Sequence, residues 1–215
     1  MKLAQILAVC AAASLAPAAL AQKWEFGGGV GGGFYTSRDV KHDDGTSASA
    51  KIETGVAGGA WLGSNSGDHF GGELRYAYQR GDLSLERNDA SAKFSGDSHA
   101  IHYDFLWHFA PQTASARPYF AFGGGVKIYR GLGEEALVQP LSRYALLTKT
   151  TEYKGMASVG VGVKLKVGER WHVRLDVHDY MTPFPKEVIA PNAGARVGGW
   201  LHQFVPMFGL SYTGN

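Results

Sequence analysis

Cysteine is nearly absent from this chain of 215 residues; the single example is Cys10. One thiol cannot close a disulfide within the chain, so covalent staples are excluded as a source of its stability. Long apolar runs are scarce as well. Beyond the first twenty or so residues none approaches the roughly 20 that a membrane helix needs. Charge of one sign is also lacking: 21 Lys and Arg face 19 Asp and Glu, a formal net charge of +2. That balance gives no reason to propose nucleic acid as a partner. What is abundant is glycine, with 30 residues, beside 5 Trp, 10 Tyr and 11 Phe. Glycine at this level disfavours helices and aromatics at this level disfavour disorder, so a β-rich chain is expected.

The first 21 residues read as a removable export signal. Lys2 supplies the basic start, Ile6 to Leu20 the apolar stretch, and Ala19-Leu20-Ala21 a small-x-small cleavage site before Gln22. Pro17 and the alanine-rich composition argue against a membrane helix here. Residues 22–215 are then expected to form one domain.

Across those residues apolar and polar side chains alternate with period two, punctuated by turn-forming clusters. Strands are expected at about 23–35, 51–63, 69–86, 93–110, 118–130, 152–167, 171–181 and 201–212. Short connections at 64–68, 111–117 and 168–170 alternate with others at 36–50, 87–92, 131–151 and 182–200. An all-β, eight-stranded antiparallel up-and-down transmembrane barrel shows this asymmetry, with the short turns and both termini on the periplasmic side. The 69–86 and 93–110 pair should project beyond the bilayer. Pro206 removes a ladder donor, so a bulge or an unpaired position is expected there.

Alternation alone does not say which face is inside. In Trp171-His-Val-Arg-Leu-Asp-Val-His178 one face carries Trp171, Val173, Leu175 and Val177, the other His172, Arg174, Asp176 and His178. In the other strands the polar face is crowded with glycine and alanine, which suits a narrow interior and makes a poor solvent surface. Aromatics also mark one edge of the apolar face. Trp24, Phe70, Trp107, Phe109, Phe120, Trp171 and Tyr212 all fall at strand ends beside the short turns. Rings gather in this way at a lipid–water boundary. The apolar face is therefore expected outside, against the lipid bilayer.

By parity the inward set includes Glu25, Lys51, Glu53, Glu73, Arg75, His102, Asp104, Lys127, Lys154, Lys164, His172, Arg174 and Asp176. An eight-stranded barrel is just wide enough for side chains to fill, so these charges must pair or each costs several kcal/mol. The expectation is a near-neutral charge network that plugs the lumen.

Other motifs carry less. Gly27-Gly-Gly-Val-Gly-Gly32 contains G-x-G-x-x-G, yet alternation runs straight through it and no helix follows, so it is not a nucleotide loop. His99 and His102 point to opposite faces of a strand and cannot share one metal ion. Asp176-Val-His178 has the spacing of an acid–base pair, vaguely like that of omptin proteases, but lacks their further acidic pair. No catalytic residue, metal ligand or cofactor site is assigned, and the chain is not expected to be an enzyme.

Through the export signal, strand count, turn asymmetry, aromatic edge and charged lumen, the chain resembles the small eight-stranded outer-membrane barrels: the OmpA-like transmembrane domain, OmpW-like and opacity-type proteins. The last strand, Phe204-Val-Pro-Met-Phe-Gly-Leu-Ser-Tyr212, resembles the C-terminal signal that such proteins present to the barrel-insertion machinery, although the chain ends Thr213-Gly214-Asn215. The resemblance implies an integral protein of the bacterial outer membrane, acting as a structural or interaction scaffold through its exposed loops. An extracellular ligand or surface polysaccharide is left open. A narrow channel for small solutes and a soluble exported ligand-binding barrel are the alternatives.

Overall fold

The computed structural model describes residues 23–214, all strand, turn or loop. The export signal lies outside the described residues. Numbered in chain order, fifteen strands are present: β1 (Lys23–Tyr35), β2 (Arg38–His42), β3 (Ser47–Ile52), β4 (Gly55–Ser66), β5 (Phe70–Arg80), β6 (Leu83–Arg87), β7 (Ala90–Phe94), β8 (Gly96–His108), β9 (Ala116–Gly131), β10 (Ala145–Leu147), β11 (Thr151–Lys166), β12 (Trp171–Pro183), β13 (Ile189–Pro191), β14 (Ala195–Arg196) and β15 (Trp200–Thr213).

Eight of them close a barrel in the order β1-β15-β12-β11-β9-β8-β5-β4, every pairing antiparallel. Closure leaves no unpaired sheet edge, which is what a lipid environment demands. Outward positions are apolar and exposed: on β12, Leu175 and Val177; on β11, Val161; on β8, Ile101 and Phe105. Inward positions on the same strands are buried and polar, among them Arg174, Asp176, Ser158, His102 and Asp104.

Three expected strands run too long at the end away from the short turns. The 51–63, 69–86 and 93–110 stretches each divide, at Glu53-Thr54, Gly81-Asp82 and Ser95. Beyond those points β3, β6 and β7 leave the barrel wall and join β2 and β14 in a separate sheet, ordered β14-β2-β3-β6-β7. A second small sheet pairs β10 with β13. The long connections are therefore folded. Their inner faces bury Val40, Leu85, Tyr144, Leu147, Val188 and Ile189 in one apolar cluster that reaches Tyr129 and Leu201 at the barrel mouth. The loops form a cap with its own core.

Pro206 leaves a gap in one ladder. Pairing between β1 and β15 stops at Gly31–Met207 and resumes at Phe34–Phe204. On its other side Pro206 stays in register with Val177 of β12.

Candidate functional site: the polar column inside the barrel

Inward-facing side chains stack along the barrel axis in four tiers. Nearest the short turns, Lys164 of β11 donates to Glu25 of β1 at 2.6 Å. Asn65 and Arg117 sit beside this pair; the Arg117 guanidinium donates to the Asn65 amide oxygen at 2.9 Å and to the Asp68 carbonyl at 2.7 Å. Both are buried, and they tie two short turns together across the mouth.

The second tier is a four-membered charge cluster. Arg75 of β5 donates to both carboxylate oxygens of Asp176 on β12, at 3.2 and 2.7 Å, and to Glu73 on its own strand at 3.1 Å. Arg174 of β12 reciprocates, donating to both oxygens of Glu73 and to Asp176 at 2.9 Å. Two arginines and two carboxylates are thus cross-braced between opposite walls, and none of the four side chains is more than 1% exposed. The Tyr119 hydroxyl donates to Asp176 at 2.8 Å and accepts from Arg174 Nε at 2.8 Å. Such buried charges are tolerated only when their remaining lone pairs and protons are also satisfied.

Trp61 of β4 covers this cluster. The guanidinium carbons of Arg174 and Arg75 lie 4.7 and 5.1 Å from its ring centroid, within cation–π range. Its ring fills space left by two glycines. A Cβ on Gly27 would lie 2.6 Å from Trp61 Nε1, and one on Gly209 would lie 2.5 Å from the far edge of the ring. The crowding of glycine on the inward face therefore accommodates large inward side chains opposite.

In the third tier Asp104 of β8 has no arginine or lysine partner within ion-pair distance among the described residues. Its neighbours are His102 Nδ1 at 3.0 Å, His178 Nδ1 at 3.5 Å and the Ser158 hydroxyl at 3.4 Å. Ser158 also lies 3.3 Å from His178 Nδ1, so serine, histidine and aspartate meet here. All are buried, Ser158 at 1% exposure and His178 and Asp104 at 0%. Solvent does not reach this serine.

The fourth tier is Lys127 of β9. Its ammonium lies 4.9, 5.5 and 5.3 Å from the ring centroids of Tyr35, Tyr129 and Tyr180 and forms no ion pair among the described residues. Beside it is a cavity of about 10 Å³, lined by Gln79, Ser98, Lys127 and Gln203 among others. That is room for about one water. Above it the Tyr129 hydroxyl meets that of Thr182 at 2.7 Å, and the apolar core of the cap begins.

Of the residues singled out in the sequence, Glu25, Glu73, Arg75, His102, Asp104, Lys127, Lys164, Arg174 and Asp176 come together in this column. His172 lies at its short-turn end, half-buried. Glu53 does not join it. It sits between β3 and β4 in the cap, 27% exposed, 3.5 Å from both Lys51 and Lys93, because the chain has left the barrel wall at that point. Lys51 likewise belongs to the cap and lies 2.9 Å from Glu86. Lys154, higher on β11, lies 2.6 Å from Glu152.

Sequence reasoning missed Glu152. Its buried carboxylate accepts the backbone N–H groups of Lys186, Glu187 and Val188 at 3.1, 2.7 and 3.2 Å, pinning the cap to the barrel. Its parity, two before Lys154, was the available signal. Trp61 was missed as well, since the aromatics singled out were those at strand ends, although its parity puts it inside.

The aromatic row lies on the outer surface: Trp24, Phe70, Trp107, Phe109, Phe120 and Trp171 are 36 to 66% exposed. Neighbouring rings touch around the wall. Phe70 and Trp107 have centroids 5.1 Å apart, Trp171 and Tyr212 5.2 Å.

Comparison with known proteins agrees with this architecture. Residues 6–195 match the family described as outer membrane protein beta-barrel domain. No curated protein matches the sequence as a relative. Among solved structures, Neisserial surface protein A is similar at 9% identity and a TM-score of 0.51, covering 88% of this chain and 96% of its own. The outer membrane protease OmpT of Escherichia coli is similar at 7% identity and a TM-score of 0.51, covering 92% and 99%. The N-terminal barrel of Pseudomonas aeruginosa OprF follows at 13% identity and 0.46, covering 89% and 97%. At these identities the likeness is one of fold.

Proposed function

The chain belongs to the outer membrane protein beta-barrel domain family, and from that premise we propose that it is a plugged scaffold that presents a folded cap at the cell surface. The observation that carries this reading is the column from Lys164 to Lys127. Buried, mutually braced charges fill the interior, and the void beside Lys127 has room for about one water. A solute would have to break several charge-assisted hydrogen bonds at once to pass. The short turns and both termini face the periplasm, and the cap faces outward. The apolar wall contacts the bilayer, and β15, which carries Tyr212, is what the insertion machinery reads.

The scaffold is not catalytic. OmpT is a protease, but here Asp176 and His178 are 3.9 Å apart and sealed within the plug. Interaction belongs to the cap instead. Its outer surface carries a cleft of about 650 Å³ between β2 and the segment after β14, lined by Arg38, Asp39, Lys41, His42 and Arg196. Polar groups on a rigid support suit recognition of a surface polysaccharide or another extracellular ligand.

Single-channel recording in planar bilayers tests the reading. Folded protein that inserts should give no steady conductance. A stable unitary conductance from the wild-type chain would favour the narrow channel and contradict the plug.

A further inference from the structure

The outer wall carries a pattern that the plug does not use. On β5, β8 and β9 the outward aromatic side chains towards the short turns include Phe70, Trp107 and Phe120, cross-strand neighbours in register. Ten residues further along the same three strands, again in register, stand Arg80, Asp97 and Arg130. An even step keeps them on the outer face. Ten residues at about 3.3 Å each, on strands tilted by about 40°, rise roughly 25 Å, the height of a barrel's apolar band. The first row marks one lipid boundary and the second row the other.

Between the rows the wall is apolar and exposed, with Leu74, Ile101 and Phe122. Just below the charged row lie Tyr76, Tyr78 and His99. The Tyr76 hydroxyl is 2.8 Å from His99 Nδ1, and the Tyr78 ring centroid is 5.2 Å from that of His99. Asp97 is 3% exposed at its side chain and receives Arg130 Nε and Nη2 at 2.7 and 2.5 Å. That bond holds the Arg130 guanidinium in place while leaving the side chain 39% exposed. Arg80 is exposed and forms no ion pair among the described residues. Two guanidiniums thus flank one carboxylate in register, only Arg130 bonds it, and a positive charge is left over at headgroup level. The opposite stretch of wall, on β1, β12 and β15, differs. Ten residues from Trp24, Trp171 and Tyr212 stand Phe34, Met181 and His202, and His202 is already paired with Asp179 at 2.8 Å.

We propose that this sector of β5, β8 and β9 is a docking site for a phosphate-bearing lipid of the leaflet on the cap side. The phosphate sits between Arg80 and Arg130, whose planar forks suit bidentate contact with it. The acyl chains lie against Leu74, Ile101 and Phe122. The site rests on the membrane reading above and adds a ligand to it.

The test uses the full chain folded into phosphatidylcholine vesicles containing either a diphosphorylated glycolipid or its dephosphorylated counterpart. Lipid retained after extraction is counted by native mass spectrometry. The phosphorylated lipid should be retained by the wild type and by Arg87→Gln in the cap. Retention should fall about tenfold, equivalent to roughly 1.4 kcal/mol, in Arg80→Gln and in the paired Asp97→Asn, Arg130→Gln variant. Inorganic phosphate should not displace it. Equal retention of the dephosphorylated lipid, equal retention by the variants, or displacement by inorganic phosphate would overturn the docking site while leaving the barrel in its membrane. A chain that enters neither vesicle would overturn the membrane reading, and the docking site with it.

Discussion

Arg75 and Asp176 lie 101 residues apart in sequence, on opposite walls of the barrel, and are joined by two parallel hydrogen bonds at 3.2 and 2.7 Å. Arg174 and Glu73 repeat the arrangement in the reverse sense, so each of the two strands contributes one cation and one anion. Removing one partner leaves a buried charge uncompensated, which typically costs about 3–5 kcal/mol. Asp176→Asn should therefore lower the urea midpoint of the folded barrel and reduce the heat-resistant band on a gel. Replacing Arg75 and Asp176 together with leucine should recover much of that loss, because paired burial of charge is itself expensive. An unchanged midpoint in Asp176→Asn would show that the cluster does not hold the walls together.

Trp61 lies between that cluster and the backbone of β1 and β15. Trp61→Ala would remove the face on which two guanidiniums rest and open a cavity, at a cost of about 3–5 kcal/mol. The barrel should still close, since strand pairing does not depend on the indole. Urea unfolding of Trp61→Ala next to Trp171→Ala makes the comparison. The outward tryptophan, 50% exposed, should matter much less in detergent.

The cap should loosen independently of the barrel. Ile189 is fully buried in the cap core, and Ile189→Ala should cost about 2–5 kcal/mol of local stability. Limited proteolysis should then cut within the cap while the barrel strands stay protected. Simultaneous loss of both would mean that cap and barrel form one cooperative unit.

Acid should weaken the cap first. Lys51 donates to Glu86 at 2.9 Å, which holds the Glu86 carboxyl below its ordinary range and raises Lys51. Asp44 is likewise lowered, by hydrogen bonds from Thr46 and by Arg143. A carboxyl lowered on folding stabilises the fold above its unfolded value and loses that contribution as pH falls through its folded value. Both pairs are solvent-exposed, so the effect is small and screened by salt. Cap proteolysis should therefore quicken below about pH 4.5, the ordinary range of a glutamate, and Glu86→Gln should remove part of the dependence. A flat profile between neutral pH and pH 3 would contradict it.

Much of the barrel was legible because parity is a strong constraint. Once Leu175 faces lipid, Arg174 and Asp176 must face inward, and the same rule holds on each strand. Parity does not fix where a strand leaves the wall. Lys51 and Glu53 continue the alternation of β4, and only one or two residues separate each cap strand from its barrel neighbour, so no turn cluster marks the divide. The cap core was hidden for a related reason. Val40, Tyr144 and Ile189 come from three different connections and are scattered among polar residues. Which charge partners which was also beyond the sequence, since the cross-brace depends on strands that are distant in order. Arg75 and Asp176 are matched by barrel closure alone.

Paired thiol accessibility tests most directly whether an apolar outer wall surrounds a closed polar interior. With Cys10 replaced by Ser, single cysteines would be placed at outward Val161 and Leu175 and at inward Ala100 and Ala121, in protein folded into vesicles. Each would be exposed to a charged, membrane-impermeant thiol reagent and to a lipid-soluble maleimide. The outward pair should react with the lipid-soluble reagent alone, and the inward pair with neither until the barrel is unfolded. Reaction of Ala100→Cys or Ala121→Cys with the charged reagent in the folded protein would mean an open lumen, and reaction of Val161→Cys or Leu175→Cys with it would mean that the apolar wall does not face lipid.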